Sequence, residues 1–449
     1  MKNTNKKLVG VVSLGCDKNR VDTEIMLTYL KNGGYSFTSD PAEADIIIVN
    51  TCGFIKNARN ESMDAIIEMS EYKRMGSCSR LIVTGCMPQL WLKEMRKDLP
   101  EVDIFLGIDQ YPNICEIIEQ SYESRSKYIK CDTTESMPYI KNRMVTTPVH
   151  YAYLKIADGC NNYCTFCTIP YIRGKYKSRP FDDLIEEAND LVNNGATELI
   201  IIAQDITKYG TDLGDKKPKL VQLIRELSKI EKLKWIRLLY CYPEDVNDEL
   251  IDEIENNDKV CKYIDIPLQH VSDYLLKRMN RHTSKTQIEE LVKKLKSQPK
   301  PIKIRTTFMV GFPGETEADQ KQLYEFLKTY KLDHVGFFSY SREEGTPAYN
   351  LDNQVPEKLK QKRLIKLAKL QKKINTANNK KYIGQVLDVC YEGIDYENSL
   401  FMGRTEFEAP EIDTICLFKS KQTVYMGEHY KVKIKKIKGY DLVGDRIDE

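Results

Sequence analysis

The chain has 449 residues, of which 41% are hydrophobic and 30% are charged, and its formal net charge is only +2. This length predicts about three domains of roughly 100–200 residues each. No stretch approaches the ~18 consecutive apolar residues of a membrane-spanning helix. The first residues, MKNTNKKLVGVVSLGC, lack the long apolar region and the small-residue cleavage site of a signal peptide. We therefore expect a cytoplasmic protein with no membrane partner.

Cysteine is abundant, with thirteen residues in the chain. The number is odd, and the spacings differ from those of a small secreted disulfide framework. Reduced thiols that bind metal or perform redox chemistry are the better interpretation. Seven cysteines show no ligand spacing, and we interpret them as small buried hydrophobes or incidental thiols. These seven are Cys78, Cys115, Cys131, Cys241, Cys261, Cys390 and Cys416.

The first third of the chain alternates apolar runs with helical patterns. Near-continuous apolar runs are typical of strands that are buried on both faces of a parallel sheet. Helical stretches follow these runs, such as Val21–Asn32, which stops at two glycines. The pattern predicts an α/β domain over residues 1–120, followed by a polar linker at 121–145. The three runs are LVGVVSL (8–14), DIIIVN (45–50) and RLIVTG (80–85).

A second α/β array is predicted over residues 146–380. Six apolar runs alternate with helical patterns, which is fewer than the eight units of a closed β/α barrel, so we expect an open, six-unit partial barrel. The array ends in a basic helix at 357–381, which carries ten Lys or Arg and one acid. RNA contact by this helix stays open, but an apolar stripe favours packing with the lysines in solvent. The stripe comprises Leu364, Leu367, Ala368 and Ile374.

The last predicted domain covers residues 381–449. It contains short strand-like pieces, and KVKIKKIKG (431–439) alternates polar with apolar residues. This pattern predicts a small antiparallel β-barrel.

A compact cysteine group lies in KIADGCNNYCTFCTIPYIRG, with Cys160, Cys164 and Cys167 spaced as C-x-x-x-C-x-x-C after a predicted strand. Three thiolates on one loop can hold three irons of a [4Fe–4S] cluster and leave the fourth iron open to a substrate. Structural zinc prefers four ligands, and this loop contains no histidine. Electron-transfer ferredoxins normally use four cysteines per cluster. The spacing therefore favours an open cluster over zinc or a ferredoxin.

A second, dispersed group comprises Cys16, Cys52 and Cys86, each of which follows an apolar strand. The carboxyl ends of parallel strands converge on one edge of a sheet, where open α/β sheets bind ligands. We therefore expect these three cysteines to meet and to hold another open cluster. The alternative is three buried structural cysteines.

The loop around Cys160, with Phe166 before its third cysteine, resembles the radical S-adenosylmethionine superfamily. The resemblance implies that S-adenosylmethionine chelates the open iron and is cleaved to a 5′-deoxyadenosyl radical. Many members have Gly-Gly-Glu after the second barrel strand, but this chain has Ala203-Gln204-Asp205. Gly311-Phe312-Pro313-Gly314-Glu315 ends the fifth strand and is either a site of close adenine approach or an ordinary glycine turn. The expected S-adenosylmethionine contacts are Phe166, Gln204 and Gly311.

The full arrangement resembles the methylthiotransferase family, and its tail looks like a TRAM domain. The resemblance implies that Cys16, Cys52 and Cys86 ligate an auxiliary [4Fe–4S] cluster that carries the transferred sulfur. One S-adenosylmethionine would donate the methyl group and another would supply the radical. An electron donor such as flavodoxin or ferredoxin is implied.

The stretches SLGCDKNRVDTE (13–24) and AQDITKYGTDL (203–213) look like the branch of that family that modifies a protein. The resemblance implies methylthiolation of an aspartate β-carbon in ribosomal protein twelve of the small subunit, either free or in the ribosomal particle.

The composition of the tail also favours a protein substrate. Residues 382–449 contain nine basic and thirteen acidic residues, a net charge of about −4. Such a face would repel a phosphate backbone and attract a basic ribosomal protein. The alternative for these acids is that they lie on a solvated loop. The alternatives for the whole chain are a tRNA adenosine methylthiotransferase and a non-enzymatic two-cluster electron carrier. The acids expected to bind substrate are Glu406, Glu408, Glu411 and Asp413.

Overall fold

The computed structural model describes residues 7–123, 128–131 and 137–447. These residues form two compact units. The first unit contains the described residues of 1–147, together with segments 157–179 and 343–346. The second unit contains 148–156, 180–342 and the described residues of 347–449.

The first unit is built on a six-stranded parallel sheet in the order β2-β1-β3-β4-β5-β6. The three strands predicted from the apolar runs are β1, β3 and β4, and the parallel α/β fold is confirmed. Its strands are β1 (Leu8–Ser13), β2 (Ser36–Phe37), β3 (Ile46–Thr51), β4 (Arg80–Gly85), β5 (Ile104–Leu106) and β6 (Tyr128–Lys130). Its helices up to β6 are α1 (Asp17–Asn32), α2 (Lys56–Ser70), α3 (Tyr72–Met75), α4 (Cys86–Asp98) and α5 (Ile114–Glu123).

Polar side chains fix the carboxyl edge of this sheet. All six residues of β3 are buried, as expected for a strand covered on both faces. At its end, the Asn50 side-chain amide donates to the Asn19 carbonyl at 2.9 Å and to the Thr23 hydroxyl at 2.7 Å. The Asn19 amide in turn donates to the Leu14 carbonyl at 2.6 Å. These bonds hold the start of α1 against the strand ends.

The predicted linker 121–145 is only partly described. Residues 124–127 and 132–136 lie outside the described residues. Residues 128–130 form β6, which pairs in parallel with β5. The start of this segment therefore contributes a strand to the first sheet.

The second unit contains an open six-stranded parallel sheet in the order β7-β10-β11-β12-β13-β14, which agrees with the predicted six-unit partial barrel. Between β7 and β10 the chain runs through the segment 157–179, which belongs to the first unit. The elements from β7 to β10 are β7 (Tyr151–Lys155), β8 (Ala157–Asp158), α6 (Ile169–Arg173), β9 (Lys177–Ser178), α7 (Phe181–Asn193) and β10 (Glu198–Ile202). The elements that follow are α8 (Leu220–Ser228), β11 (Trp235–Leu238), α9 (Asp248–Asn256), β12 (Val260–Asp265), α10 (Asp273–Arg278), α11 (Lys285–Lys296), β13 (Lys303–Val310), α12 (Glu317–Tyr330), β14 (His334–Ser339) and α13 (Glu357–Asn379).

The basic helix is α13, but the side chains that it buries differ from the predicted stripe. Leu367 and Ile374 are buried, whereas Ala368 is exposed. Lys360 and Arg363 are buried on the same helix because their charged ends reach polar partners. The Lys360 ammonium donates to the Tyr340 carbonyl at 2.7 Å. A stripe of purely apolar residues was therefore the wrong prediction, since two cations contribute to the packed face.

The tail forms a closed five-stranded barrel in the order β15-β16-β17-β19-β18, which confirms the predicted barrel, although β17 and β19 pair in parallel and the other neighbouring strands pair antiparallel. Val432 and Ile434 of the alternating stretch belong to the barrel core, while Lys431 and Lys433, which alternate with them, are exposed. A register shift after Ile434 interrupts the alternation. The strands are β15 (Val386–Asp395), β16 (Leu400–Arg404), β17 (Cys416–Lys419), β18 (His429–Lys438) and β19 (Asp441–Arg446).

Short 3₁₀ helices occur at Tyr111–Asn113, Ile206–Lys208, Pro243–Asp245, Pro347–Asn350 and Lys380–Tyr382. Among the residues described, no helix combines the length and the apolar character needed to cross a membrane.

Candidate active site

The three dispersed cysteines lie at one edge of the first sheet. Cys16 is the residue before α1, Cys52 directly follows β3, and Cys86 is the first residue of α4. The strands that precede them, β1, β3 and β4, are neighbours in the sheet. Gly15 has a φ of +95°, and a Cβ there would lie 3.0 Å from the Cys52 Cβ. The turn that carries Cys16 therefore lies directly against Cys52.

These cysteines differ in exposure, since Cys16 is exposed, Cys52 is half-buried and Cys86 is buried. Burial raises the pKa of the Cys86 thiol, and the nearby Arg173 guanidinium opposes that rise. Burial also raises the pKa of Cys52, with a further contribution from Cys16. Iron binds the thiolate form, so a fixed cation beside Cys86 favours the form that a cluster needs.

The compact cysteine group lies on a tightly folded loop of the same unit. Strands β8 and β9 pair antiparallel at the two ends of the loop. The Cys160 amide donates to the Gly174 carbonyl at 3.2 Å, and the Cys167 amide donates to the Cys164 carbonyl at 2.9 Å. Gly159 has a φ of +78°, and a Cβ there would lie 2.2 Å from the Lys175 carbonyl oxygen. Only glycine fits at that position, so the backbone fixes where Cys160 begins the loop.

The two cysteine groups are neighbours within the first unit, although the sequence analysis assigned them to separate domains. The Thr168 hydroxyl, one residue after Cys167, donates to the Phe54 carbonyl at 3.5 Å. Phe54 lies two residues after Cys52. A cavity of about 330 Å³ in the same unit borders Thr168, and its lining consists of Leu90, Trp91, Thr168, Tyr171, Glu344 and Gly345.

Arg173 provides a second connection between the groups, which could not be predicted from the sequence. Its guanidinium donates to the Cys86 Sγ at 3.4 Å and to the Asp158 carboxylate at 3.0 Å. It also donates to Asp22 at 2.6 Å and to the Asn19 side-chain oxygen at 3.3 Å. A single arginine in IPYIRG is not part of any spacing pattern that would predict a functional role. Its contacts become apparent only in the folded structure.

The three residues expected to contact S-adenosylmethionine lie in different elements. Phe166 lies in the cysteine loop of the first unit and is half-buried. Gln204 follows β10 and Gly311 follows β13, both at carboxyl ends of strands in the second sheet. The Gly311 amide donates to the Glu315 carboxylate, and a Cβ on Gly311 would lie 2.3 Å from the Lys360 side chain. Packing against Lys360 is thus sufficient to require this glycine.

The four acids expected to bind substrate do not form one exposed face. Glu408 is buried, with its carboxylate 3.7 Å from the Lys303 ammonium. The buried Asp413 side chain accepts from the Tyr263 hydroxyl at 2.7 Å and from Arg305 at 3.3 Å. For these two acids an exposed docking role is wrong, because Glu408 pairs with Lys303 and Asp413 pairs with Arg305, both of which are cations of β13.

The other two acids are more accessible but also have partners in the second unit. The half-buried Glu406 accepts from the Lys262 backbone amide at 2.9 Å. The exposed Glu411 accepts from the Tyr151 hydroxyl at 3.2 Å. These four acids therefore connect the 404–413 stretch of the tail to residues of β7, β12 and β13.

A buried polar cluster in the second unit also could not be predicted from the sequence. His150, Cys390 and Glu392 place one potential metal ligand atom each within 4.8 Å of one another. However, Arg404 donates to both Glu392 oxygens at 2.9 Å, and His150 Nε2 lies 2.9 Å from Glu392 Oε1. The carboxylate is therefore already compensated, and this arrangement is typical of a structural ion-pair network.

Three parts of the chain match known protein families. Residues 8–107 match Uncharacterized protein family UPF0004, residues 154–327 match the Radical SAM superfamily, and residues 383–447 match the TRAM domain. A protein of Acetivibrio thermocellus named "Ribosomal protein uS12 methylthiotransferase RimO" is 46% identical over 99% of both chains. A protein of the same name from Clostridium botulinum strain Eklund 17B is 48% identical, again over 99% of both. The chain belongs to the RimO methylthiotransferase family. Its members are radical S-adenosylmethionine enzymes, and the predicted family and enzyme class are confirmed.

Solved structures support the fold. The radical S-adenosylmethionine methyltransferase TsrM from Kitasatospora setae aligns with a TM-score of 0.57 at 14% identity, covering 76% of this chain and 74% of that one. The cobalamin-dependent S-adenosylmethionine radical enzyme OxsB aligns with a TM-score of 0.51 at 14% identity, covering 82% of this chain and 56% of that one. The RimO-family chain therefore shares its architecture with radical enzymes of low sequence similarity.

The donor set of this RimO-family chain fits iron–sulfur clusters. Each group offers three thiols, and each is positioned by the backbone of one sheet edge or one closed loop. Thiolates are the usual protein ligands of such clusters, and a fourth iron without a protein ligand stays accessible.

Proposed function

We propose that this chain transfers a methylthio group to the β-carbon of an aspartate in ribosomal protein uS12. The observation that carries the proposal is the presence of two three-cysteine groups side by side in one unit, in a chain 46–48% identical to proteins named for that activity. A radical formed on the substrate and a sulfur atom to be attached to it require two neighbouring centres. A single bound segment of the substrate polypeptide would reach both cysteine groups.

Each cysteine group would hold one [4Fe–4S] cluster. Cys160, Cys164 and Cys167 would hold the radical cluster, and Cys16, Cys52 and Cys86 the auxiliary one. When bound, the clusters and two S-adenosylmethionine molecules supply a carbon radical and the sulfur and methyl group to be transferred. Phe166, Gln204 and Gly311 remain candidates for contact with S-adenosylmethionine.

The residues of the chain itself position and shield these groups. The bonds from Cys160 to Gly174 and from Cys167 to Cys164 fix the backbone of the compact loop. Burial of Cys86 and half-burial of Cys52 reduce solvent access, whereas the exposed Cys16 leaves one side open. That open side is where a substrate loop would enter.

The cluster that starts the radical reaction must receive an electron from another protein. A flavodoxin or a ferredoxin would supply it. Because the proposed substrate is a ribosomal protein, the enzyme would act in the cytoplasm, either on free uS12 or on the ribosomal particle.

One observation favours a second candidate, a tRNA adenosine methylthiotransferase. The barrel has a groove of about 580 Å³ whose lining includes Lys419, Lys435, Lys436 and Lys438. Clustered lysines attract a phosphate backbone. The two candidates share the cluster chemistry and differ only in the molecule that is modified.

An in vitro competition separates them. The anaerobically reconstituted enzyme is given a reductant, S-adenosylmethionine, purified uS12 and unmodified tRNA, and both products are analysed by mass spectrometry. We expect the methylthio group on an aspartate of uS12 and unmodified adenosine in tRNA. A methylthiolated adenosine with unmodified uS12 would contradict the proposal and support the tRNA candidate. The variant lacking Cys16, Cys52 and Cys86 is the matched control, because it should modify neither substrate.

A further inference from the structure

Arg173 ends α6, the helix that follows the compact cysteine group, and its side chain is only 2% exposed. An arginine is always protonated, and its planar guanidinium can hold several acceptors at once. Here it contacts Cys86 of α4, Asp22 of α1 and Asp158 of β8. Three separate segments therefore meet on one buried cation.

The contacts of Arg173 form a continuous path from one cysteine group to the other. The guanidinium donates to the Cys86 sulfur at 3.4 Å and to the Asp158 carboxylate at 3.0 Å. The other oxygen of Asp158 accepts the Gly159 amide at 2.9 Å, directly before Cys160. An unbroken series of hydrogen bonds therefore runs from the Cys86 sulfur to the residue that precedes Cys160.

We propose that Arg173 is a positioning residue that sets the electrostatic environment of the auxiliary cysteine group and fixes the radical loop against it. This inference rests on the proposed function, since it assigns a cluster to Cys16, Cys52 and Cys86. A hydrogen bond and a positive charge at a ligand sulfur stabilise the more negative, reduced state of a cluster. Arg173 therefore raises the reduction potential of the auxiliary cluster, while Asp22 moderates that effect.

The test uses the full-length variant in which Cys160, Cys164 and Cys167 are replaced by Ala, so that only the auxiliary cluster gives a signal. In this background, Arg173→Met removes the cation with little change in volume. We expect a more negative midpoint potential and an altered electron paramagnetic resonance spectrum of the reduced cluster. The matched control is Arg143→Met, which removes another buried cation of the same unit, one that pairs with Glu24. It should leave both readouts unchanged.

A second variant keeps the proposal testable if Arg173→Met fails to bind iron. Asp22→Asn removes a negative charge from Arg173 but leaves the arginine beside Cys86, so the potential should shift in the opposite direction, to a more positive value. Equal potentials and spectra in the parent, Arg173→Met and Asp22→Asn would overturn the inference. Absence of iron from the parent itself would instead contradict the assignment of the auxiliary cluster in the proposed function.

Discussion

The carboxylate of Glu198 in β10 and the guanidinium of Arg404 in β16 form an ion pair at 2.7 Å, with each side chain only 2% exposed. Arg237 of β11 donates to the same carboxylate at 2.6 Å. Arg404 also pairs with Glu392, so two acids and two arginines neutralise one another in the interior of the second unit. This cluster connects the C-terminal barrel to the six-stranded sheet.

Replacing Glu198 with Gln should destabilise the protein strongly, because it leaves Arg237 and Arg404 with one carboxylate between them. Breaking a buried ion pair in this way costs about 3–5 kcal/mol in the free energy of unfolding. The measurement is urea unfolding followed by circular dichroism. The control is Glu226→Gln in the exposed pair with Lys229, which should cost less than about 1 kcal/mol. Equal losses in the two variants would contradict the structural role of Glu198.

The same cluster predicts a pH dependence. Burial alone would raise the pKa of Glu198, but Arg237 and Arg404 lower it to about 2, from an ordinary value of 4.5. A depressed pKa gives stability that is fully present above pH 4.5 and is lost as the pH falls toward 2. The stability difference between the wild type and Glu198→Gln should therefore narrow between pH 6 and pH 3.5. A difference that stayed constant over this range would show that Glu198 is not ionised as described.

Much of the fold could be predicted because parallel strands buried on both faces read as continuous apolar runs. The apolar runs alone were sufficient to predict β1, β3 and β4. Because the carboxyl ends of parallel strands meet at one edge of a sheet, the positions of Cys16, Cys52 and Cys86 after these strands then predicted that the three cysteines lie together. The proximity of the Cys160 loop to that edge could not be predicted. It depends on contacts such as that of Thr168 with Phe54, which join residues 114 positions apart.

Charge patterns in the tail were harder to interpret from sequence. Composition alone suggests that the acids of 404–413 face solvent, because acidic residues usually do. In the structure, Asp413 pairs with Arg305, 108 residues earlier in the chain. A sequence shows the number of charges but not their partners, so the distinction between a docking face and an ion pair required the fold.

Replacing Cys160, Cys164 and Cys167 with Ala should remove about half of the iron and all reductive cleavage of S-adenosylmethionine. The remaining iron should stay with the other cysteine group, because each triad is proposed to hold its own cluster. Iron content after anaerobic reconstitution and formation of 5′-deoxyadenosine are the two measurements. Unchanged iron content in this variant would rule out the compact triad as a cluster site.

Replacing Cys16, Cys52 and Cys86 with Ala should have a different effect. Cleavage of S-adenosylmethionine should continue, since it needs only the radical cluster, whereas methylthio transfer should be lost. The two activities are measured on the same preparation, by release of 5′-deoxyadenosine and by the mass of uS12. A normally methylthiolated product would show that these cysteines do not hold the sulfur that is transferred.

The most direct test of the proposed function is a mass spectrum of ribosomal proteins from cells that contain the wild-type chain, lack it, or contain the Cys16→Ala, Cys52→Ala, Cys86→Ala variant. If the proposed function is correct, one aspartate of uS12 carries a methylthio group only in cells with the wild-type chain. Unmodified uS12 in wild-type cells, together with a methylthiolated tRNA adenosine that disappears when the chain is removed, would contradict it.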